Sequence, residues 1–110
     1  MAAPTAAPVV PDRTHDARVS VVVITRDRVA DLLNALAHLR ALDERPRILV
    51  VDNGSGDGTG AAVRARFPGV EVIELGENRG AAARTVAVER STTPYVAFAD
   101  DDSWWAPGDL

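Results

Sequence analysis

Two hydrophobic periods alternate along the chain. From Val19, "VSVVVIT" is β-branched and almost wholly apolar, the pattern of a parallel strand buried on both faces. Val29, Leu32, Leu33 and Leu36 follow at helical spacing, with Asp27 ahead of them as the expected N-cap and Asp31 and Arg40 left for solvent. A second apolar strand, "RILVVD", leads into a Gly-rich loop, "NGSGDGTG", and a short helix carrying Val63 and Phe67 that Pro68-Gly69 ends. "VEVIEL" interleaves Glu71 and Glu74 with apolar residues and reads as an edge strand. "GENRG" then opens an Ala-rich helix to about Arg90, in which Ala82, Ala83 and Ala87 permit close approach to a sheet. "TTPYVAFA" supplies the fourth strand, with Pro94 tolerable only at its start.

Strand alternating with helix predicts right-handed βαβ crossovers and an α/β fold: a parallel, Rossmann-like sheet of about four strands with flanking helices. Every strand of such a sheet ends on the same edge, where ligands bind. The residues following the four strands are Thr25-Arg26-Asp27, Asp52-Asn53-Gly54, Glu77-Asn78-Arg79 and Asp100-Asp101-Asp102. Polar groups from four separate places therefore converge on one edge.

Composition narrows the classes. At 110 residues the chain holds one domain at most, and 46% hydrophobic with 25% charged residues is ordinary for a soluble globular protein. A net charge of −4 argues against a general nucleic-acid-binding surface. With no cysteine, disulfides, zinc–thiolate sites and thiol nucleophiles are excluded. All 12 basic residues are Arg, so no mechanism can use a lysine. Residues 1–18 are rich in Ala and Pro without the basic start and apolar centre of a signal peptide, and are expected to form a disordered leader in which His15 is inert. No segment approaches the roughly 20 apolar residues of a membrane span. The expected compartment is the cytoplasm, including the inner face of a membrane.

The richest chemistry lies in "YVAFADDDSWW". If the chain stays extended, Asp100 and Asp102 point to one side and form a hard oxygen site suited to Mg2+ or Mn2+, a kind of ion that keeps several waters and binds phosphate oxygens. The same aspartates also fit a solvated acidic turn, with Asp102 or Ser103 capping a following helix. Asp52, closing a buried strand, fits a hydrogen-bond acceptor for a nucleoside, an Asx-turn bracing its loop, or both. Arg79, beside Asn78, fits either a contact to phosphate or a base edge or a solvated charge in a helix's first turn. Trp104 and Trp105 fit stacking on a ligand or packing beneath the next helix, and His38 reads as a rim residue without a role. The loop "DNGSGDGTG" is not a dinucleotide fingerprint, because Thr59 stands where the third glycine belongs, nor a calcium loop, because Val63 stands at its twelfth position. Without G-K-[ST] it is not a P-loop either.

With these residues assembled, the chain resembles the N-terminal, donor-binding half of family 2 glycosyltransferases, nucleotide-sugar transferases of the GT-A fold. The resemblance covers about Arg18 to Leu110 and rests on "VSVVVITRDR", "ILVVDNGSGDGT", "ENRGAAAR" and "YVAFADDDSWW" in that order. It implies that Thr25 contacts the nucleotide, that Asp52 binds base or ribose, and that Asn78 and Arg79 help hold the nucleotide. It further implies that Asp100 and Asp102 form the D-x-D motif, Asp100 near the ribose and Asp102 on a divalent cation, Mn2+ or Mg2+, at the diphosphate. Thr85 departs from the Asn that many relatives carry there. Membership implies, for most members, transfer of a sugar from a nucleotide-diphosphate donor to an acceptor hydroxyl with inversion.

Inverting transfer needs a base for the acceptor hydroxyl. In the family it lies well downstream of D-x-D, and a metal-bound carboxylate is a poor base, so no catalytic residue is identified in this chain. "APGDL" at the end reads as the first turn of a helix, and the chain is expected to be a truncated donor-binding half, residues 19–110, inactive alone. Three other classes compete. A sugar-nucleotide pyrophosphorylase normally carries a Gly-rich, Arg/Lys-bearing loop after its first strand, which "TRDRVAD" lacks. A receiver-like signalling domain needs an acid pair after the first strand and a late Lys. A nucleotide-binding module without catalysis fits a donor half standing alone.

Overall fold

The computed structural model describes residues 18–106. The expected leader up to residue 17, His15 within it and the helix start expected past Ala106 lie outside those residues. Seven elements run in strict alternation: β1 (Val19–Thr25), α1 (Val29–Arg40), β2 (Arg47–Asp52), α2 (Thr59–Arg66), β3 (Glu71–Glu74), α3 (Ala82–Arg90) and β4 (Tyr95–Ala99). All strands pair in parallel, in the order β3-β2-β1-β4. The α/β, Rossmann-like sheet predicted from the apolar runs is the sheet that forms, and β3 is an edge strand as its interleaved glutamates require. Arg18, assigned to the leader, already joins the fold through its carbonyl, which accepts the Tyr95 N–H at 3.0 Å.

Strand alternation splits the core into two layers. Val21 and Val23 of β1 and Ile48 and Val50 of β2 face Leu32, Leu36 and Leu39 of α1 and Val63 and Phe67 at α2. On the opposite face Val22, Leu49, Val51 and Ile73 meet Ala83 and Ala87 of α3. Those two alanines are fully buried, so α3 lies close on the sheet, whereas Ala82 is exposed and takes no part. The placement of the helices follows from connectivity. The crossovers from β1 to β2 to β3 advance in one direction and put α1 and α2 on one face; reaching β4 reverses direction and puts α3 on the other. The reversal opens a crevice between the carboxyl ends of β1 and β4, the switch point at which doubly wound sheets bind ligands.

The start of α1 differs from expectation. Arg28, not Asp27, is its N-cap, and Arg28 makes no capping hydrogen bond. The first turn is instead capped from across the sheet edge: the Val29 N–H donates to Asp57 Oδ2 at 3.1 Å, and Asp57 also accepts from the Thr59 hydroxyl. Asp27 sits at φ 54° and its Oδ1 accepts the Gly56 N–H at 2.6 Å, while its own N–H donates to Ser55 Oγ at 2.9 Å. Sequence spacing favoured the local cap; the loop after β2, at 28 to 29 residues' separation, supplies the partners instead. The Thr59 hydroxyl first, with the backbone N–H groups in support, holds the Asp57 carboxyl below its ordinary value of 3.8.

Two predictions follow from this packing. Phe67→Ala empties the fully buried centre of the α1/α2 layer and is expected to cost about 3–5 kcal/mol in denaturant unfolding. Asp57→Asn is expected to lower the melting temperature near neutral pH. Because the folded pKa is depressed, the stability carried by the carboxylate is present above the ordinary value and lost as pH falls through the folded one. The gap between Asp57→Asn and the parent therefore closes in melts taken toward about pH 2.

Candidate functional site at the β1/β4 switch point

At the crevice the ends of β1 and β4 are tied together by one hydrogen bond: the Thr25 hydroxyl donates to Asp101 Oδ2 at 2.9 Å. The strand register brings this about. Val23 pairs with Ala99, so two residues further along each parallel strand Thr25 stands opposite Asp101. Both side chains are buried, Thr25 at 2% and Asp101 at 7% exposure. A buried carboxylate needs partners, and Asp101 has a second in Arg28, whose Nε lies 3.6 Å from Oδ1. The middle acid of the aspartate run, which was given no role of its own, is thus the one built into the fold.

The chain does not stay extended past β4. It turns over Asp100–Ser103, with the Ser103 N–H donating to the Asp100 carbonyl at 3.3 Å, so Asp100 and Asp102 part company. Asp100 lines an open cleft of about 270 Å³ with Ile24, Arg84, Phe98, Trp104 and Trp105. Asp102 is half-exposed and lies 3.4 Å from Arg28 Nη2, which is also 3.3 Å from Asp31 Oδ2. The Arg28 pKa is raised, first by the hydrogen bond to Asp31 and then by the charges of Asp101 and Asp102. Among the described residues no group of three or more His, Asp or Glu could form a metal cage on its own. The donor set suits the way Mg2+ and Mn2+ bind in phosphate chemistry, where one or two carboxylates serve and waters and phosphate oxygens complete the shell.

The cleft walls are aromatic and cationic. Arg84 of α3 lies over the Phe98 ring, 4.9 Å from its centroid. Trp104 stacks on His38 of α1 with centroids 3.9 Å apart and planes at 12°, while Trp105 packs against the α1/α2 core. The two tryptophans therefore divide the roles envisaged for them: Trp105 is partly core, and Trp104, 40% exposed, presents a flat wall to the cleft. His38 does lie on the surface, where it supports that wall, and its Nδ1 is 2.9 Å from the Asn34 carbonyl.

Asp52 ends β2, the neighbour of β1, opposite Thr25 in the register. It is 4% exposed, and its Oδ1 accepts the Ser55 N–H, three residues on, at 2.9 Å; the carboxylate braces its loop as expected, by a bond one residue longer than an Asx-turn. It shares the sheet edge with the cleft without lining it; about 10 Å, two strand spacings, separates the ends of β2 and β4. The next residue fastens the third loop, because Asn53 Oδ1 accepts the Arg79 N–H at 2.7 Å. Gly54, at φ 86°, leaves no room for a side chain: a Cβ there would fall 2.7 Å from the Glu77 carbonyl carbon. Asn78 Oδ1 accepts from the Gly80 N–H at 2.9 Å, and the Arg79 guanidinium is half-exposed, its Nε 3.5 Å from Glu77. Thr25, Asp52, Asn78, Arg79, Asp100 and Asp102 thus lie along one edge, on four strand-end segments fastened to one another. Arg28, Arg84 and Asn53 join them; Arg28 and Arg84 were not singled out from the sequence, and Asn53 was placed on the edge without a role. Only the position of Arg28 and Asn53 in strand-end loops could have pointed to them.

Comparison with known proteins identifies the family and the fold. Residues 20–110 match the family described as Glycosyl transferase family 2. The N-acetylglucosaminyl-diphospho-decaprenol L-rhamnosyltransferase of Mycobacterium tuberculosis is 35% identical over 103 residues, covering 82% of this chain and 34% of its own length. The succinoglycan biosynthesis protein ExoU of Rhizobium meliloti is 31% identical, over 84% of this chain and 28% of its own. Among solved structures, the mannosyltransferase PcManGT from Pyrobaculum calidifontis, in complex with GDP-Man and Mn2+, superposes with a TM-score of 0.75 at 32% identity, covering 92% of this chain and 32% of that one. The chain therefore spans about a third of the length of the relatives it matches. Sheet, motif order and sequence agree: the chain belongs to glycosyl transferase family 2.

Proposed function

We propose that this chain binds the nucleotide-diphosphate sugar of an inverting glycosyl transfer, with the diphosphate at the β1/β4 crevice and a divalent cation, Mn2+ or Mg2+, on Asp102. The observation that carries the reading is the carboxylate turn at the switch point, fixed by Thr25 and Asp101 and flanked by an open cleft. The GDP-Man and Mn2+ complex of the similar mannosyltransferase supports the same donor class. That the acceptor hydroxyl's base lies outside the described residues, and that the chain alone holds the donor without transferring the sugar, belong to the same proposal.

The division of labour follows from geometry and exposure. Asp101, buried and twice-partnered, keeps the turn in place. Asp100 faces the cleft and accepts hydrogen bonds from the donor near its ribose. Asp52 reaches the base or ribose from the next strand but one, through the carboxylate lone pairs that its bond to the Ser55 N–H leaves over. Thr25 contributes its position at the centre of the edge, and Asn78 with Arg79 closes the nucleotide side from the third loop. As the sugar leaves, negative charge grows on the diphosphate; a cation held by Asp102 supplies Lewis-acid neutralisation there. Trp104 offers a flat apolar wall suited to a sugar or base face.

Calorimetry with UDP, GDP and dTDP, each with and without Mn2+, is the direct test. One nucleotide is expected to bind in the presence of Mn2+, and Asp102→Ala or a chelator is expected to weaken it at least about tenfold. Binding that is indifferent to both metal and Asp102→Ala would refute the assigned role of Asp102.

A further inference from the structure

Four charges meet at the carboxylate turn, and only one of them is positive. Arg28 approaches Asp31 at 3.3 Å, Asp102 at 3.4 Å and Asp101 at 3.6 Å. Its three contacts differ in kind. Asp101 is buried and keeps Thr25 as a second partner, so its need for a nearby cation is constant. Asp31 is one turn along the same helix and always within reach. Asp102 is as open to solvent as Asp31, so its contact is also cheap to give up, and it alone of the two belongs to a different segment from Arg28.

We propose that Arg28 is a built-in counter-ion for the carboxylate turn, a positioning residue that neutralises Asp102 until a divalent cation takes its place there and leaves it on Asp31 and Asp101. This rests on the proposal that Asp102 takes the metal, and adds to it how the site is regulated. Like charges at the turn repel, and the guanidinium offsets that repulsion while no cation is present. The exchange is conservative in charge. When the cation arrives at Asp102, Arg28 retains Asp101 through Nε and Asp31 through Nη2, so neither the buried acid nor the arginine is left alone. Metal affinity is accordingly set by a competition rather than by the carboxylates alone.

Mn2+ alone, titrated into the full 110-residue chain and followed by water proton relaxation, tests this. Arg28→Gln is expected to tighten Mn2+ roughly two- to fivefold, the scale of an exposed ion pair. Arg26→Gln removes the same charge two residues away and is expected to leave affinity unchanged. Asp31→Asn deprives the displaced arginine of its second partner and is expected to weaken Mn2+, but to have no effect once Arg28→Gln is present. Equal tightening by Arg26→Gln, or equal weakening by Asp31→Asn in both backgrounds, would mean a general field acts and would overturn the exchange. Circular dichroism verifies folding of each variant; if Arg28→Gln does not fold, Asp31→Asn against the parent still decides, and unchanged affinity there would overturn the proposal. Should the parent and every variant fail to bind Mn2+, the metal reading of Asp102 falls and the exchange with it, an outcome distinct from binding that ignores Arg28.

Discussion

The site depends on the hydrogen bond from Thr25 to Asp101 across the ends of two parallel strands. Topology brings those ends together, since the sheet reverses its order of growth between β1 and β4 and leaves a crevice that no crossover helix fills. Register then decides which residues face each other at its mouth. Burial does the rest: a carboxylate at 7% exposure must be satisfied, and the need for Thr25 and Arg28 around Asp101 holds the turn in which Asp100 lines the cleft and Asp102 lies beside Arg28. A structural acid in the centre thus sets the position of the two acids beside it, the pair proposed to meet the donor and its cation.

The other loops are fastened by similar means. Backbone N–H groups of the loop after β2 are satisfied by Asp27 and Asp52, and Asp57 from that loop satisfies the first turn of α1. Asn53 and the tight approach at Gly54 then hold the loop after β3. The polar residues of the edge hydrogen-bond to one another and hold its loops in shape. Preorganisation of this kind matters for a diphosphate, whose charge grows during transfer and is best met by groups that need not move far.

Most of the fold was legible because its signal is periodic and long. Runs such as "VSVVVIT" and "RILVVD" admit few readings, and the alternation with helices implied both the parallel sheet and the shared edge. The interleaved Glu71 and Glu74 marked the edge strand for the same reason. What stayed hidden was tertiary and lacks any period. Asp27 fits a local N-cap by spacing, yet it serves a loop 29 residues away, and Asp57 caps the helix instead. The roles within "ADDDS" turn on a two-residue extension of strand register, which separates Asp101 from its neighbours in burial and could not be read from three identical letters. Arg28 was invisible because two of its three partners, Asp101 and Asp102, belong to one segment far along the chain.

The central claim is spatial: a nucleoside diphosphate with its cation seats between β1 and β4. Backbone amide NMR of the chain, titrated with Mg2+ and the nucleotide that binds, examines it residue by residue. Shifts concentrated at Ile24, Thr25 and Asp100–Ser103, extending to Asp52 and Arg79 and sparing the opposite sheet edge around Arg47 and Gly69, are the predicted result. Shifts confined to that opposite edge, with the aspartate turn unmoved at saturation, would contradict it.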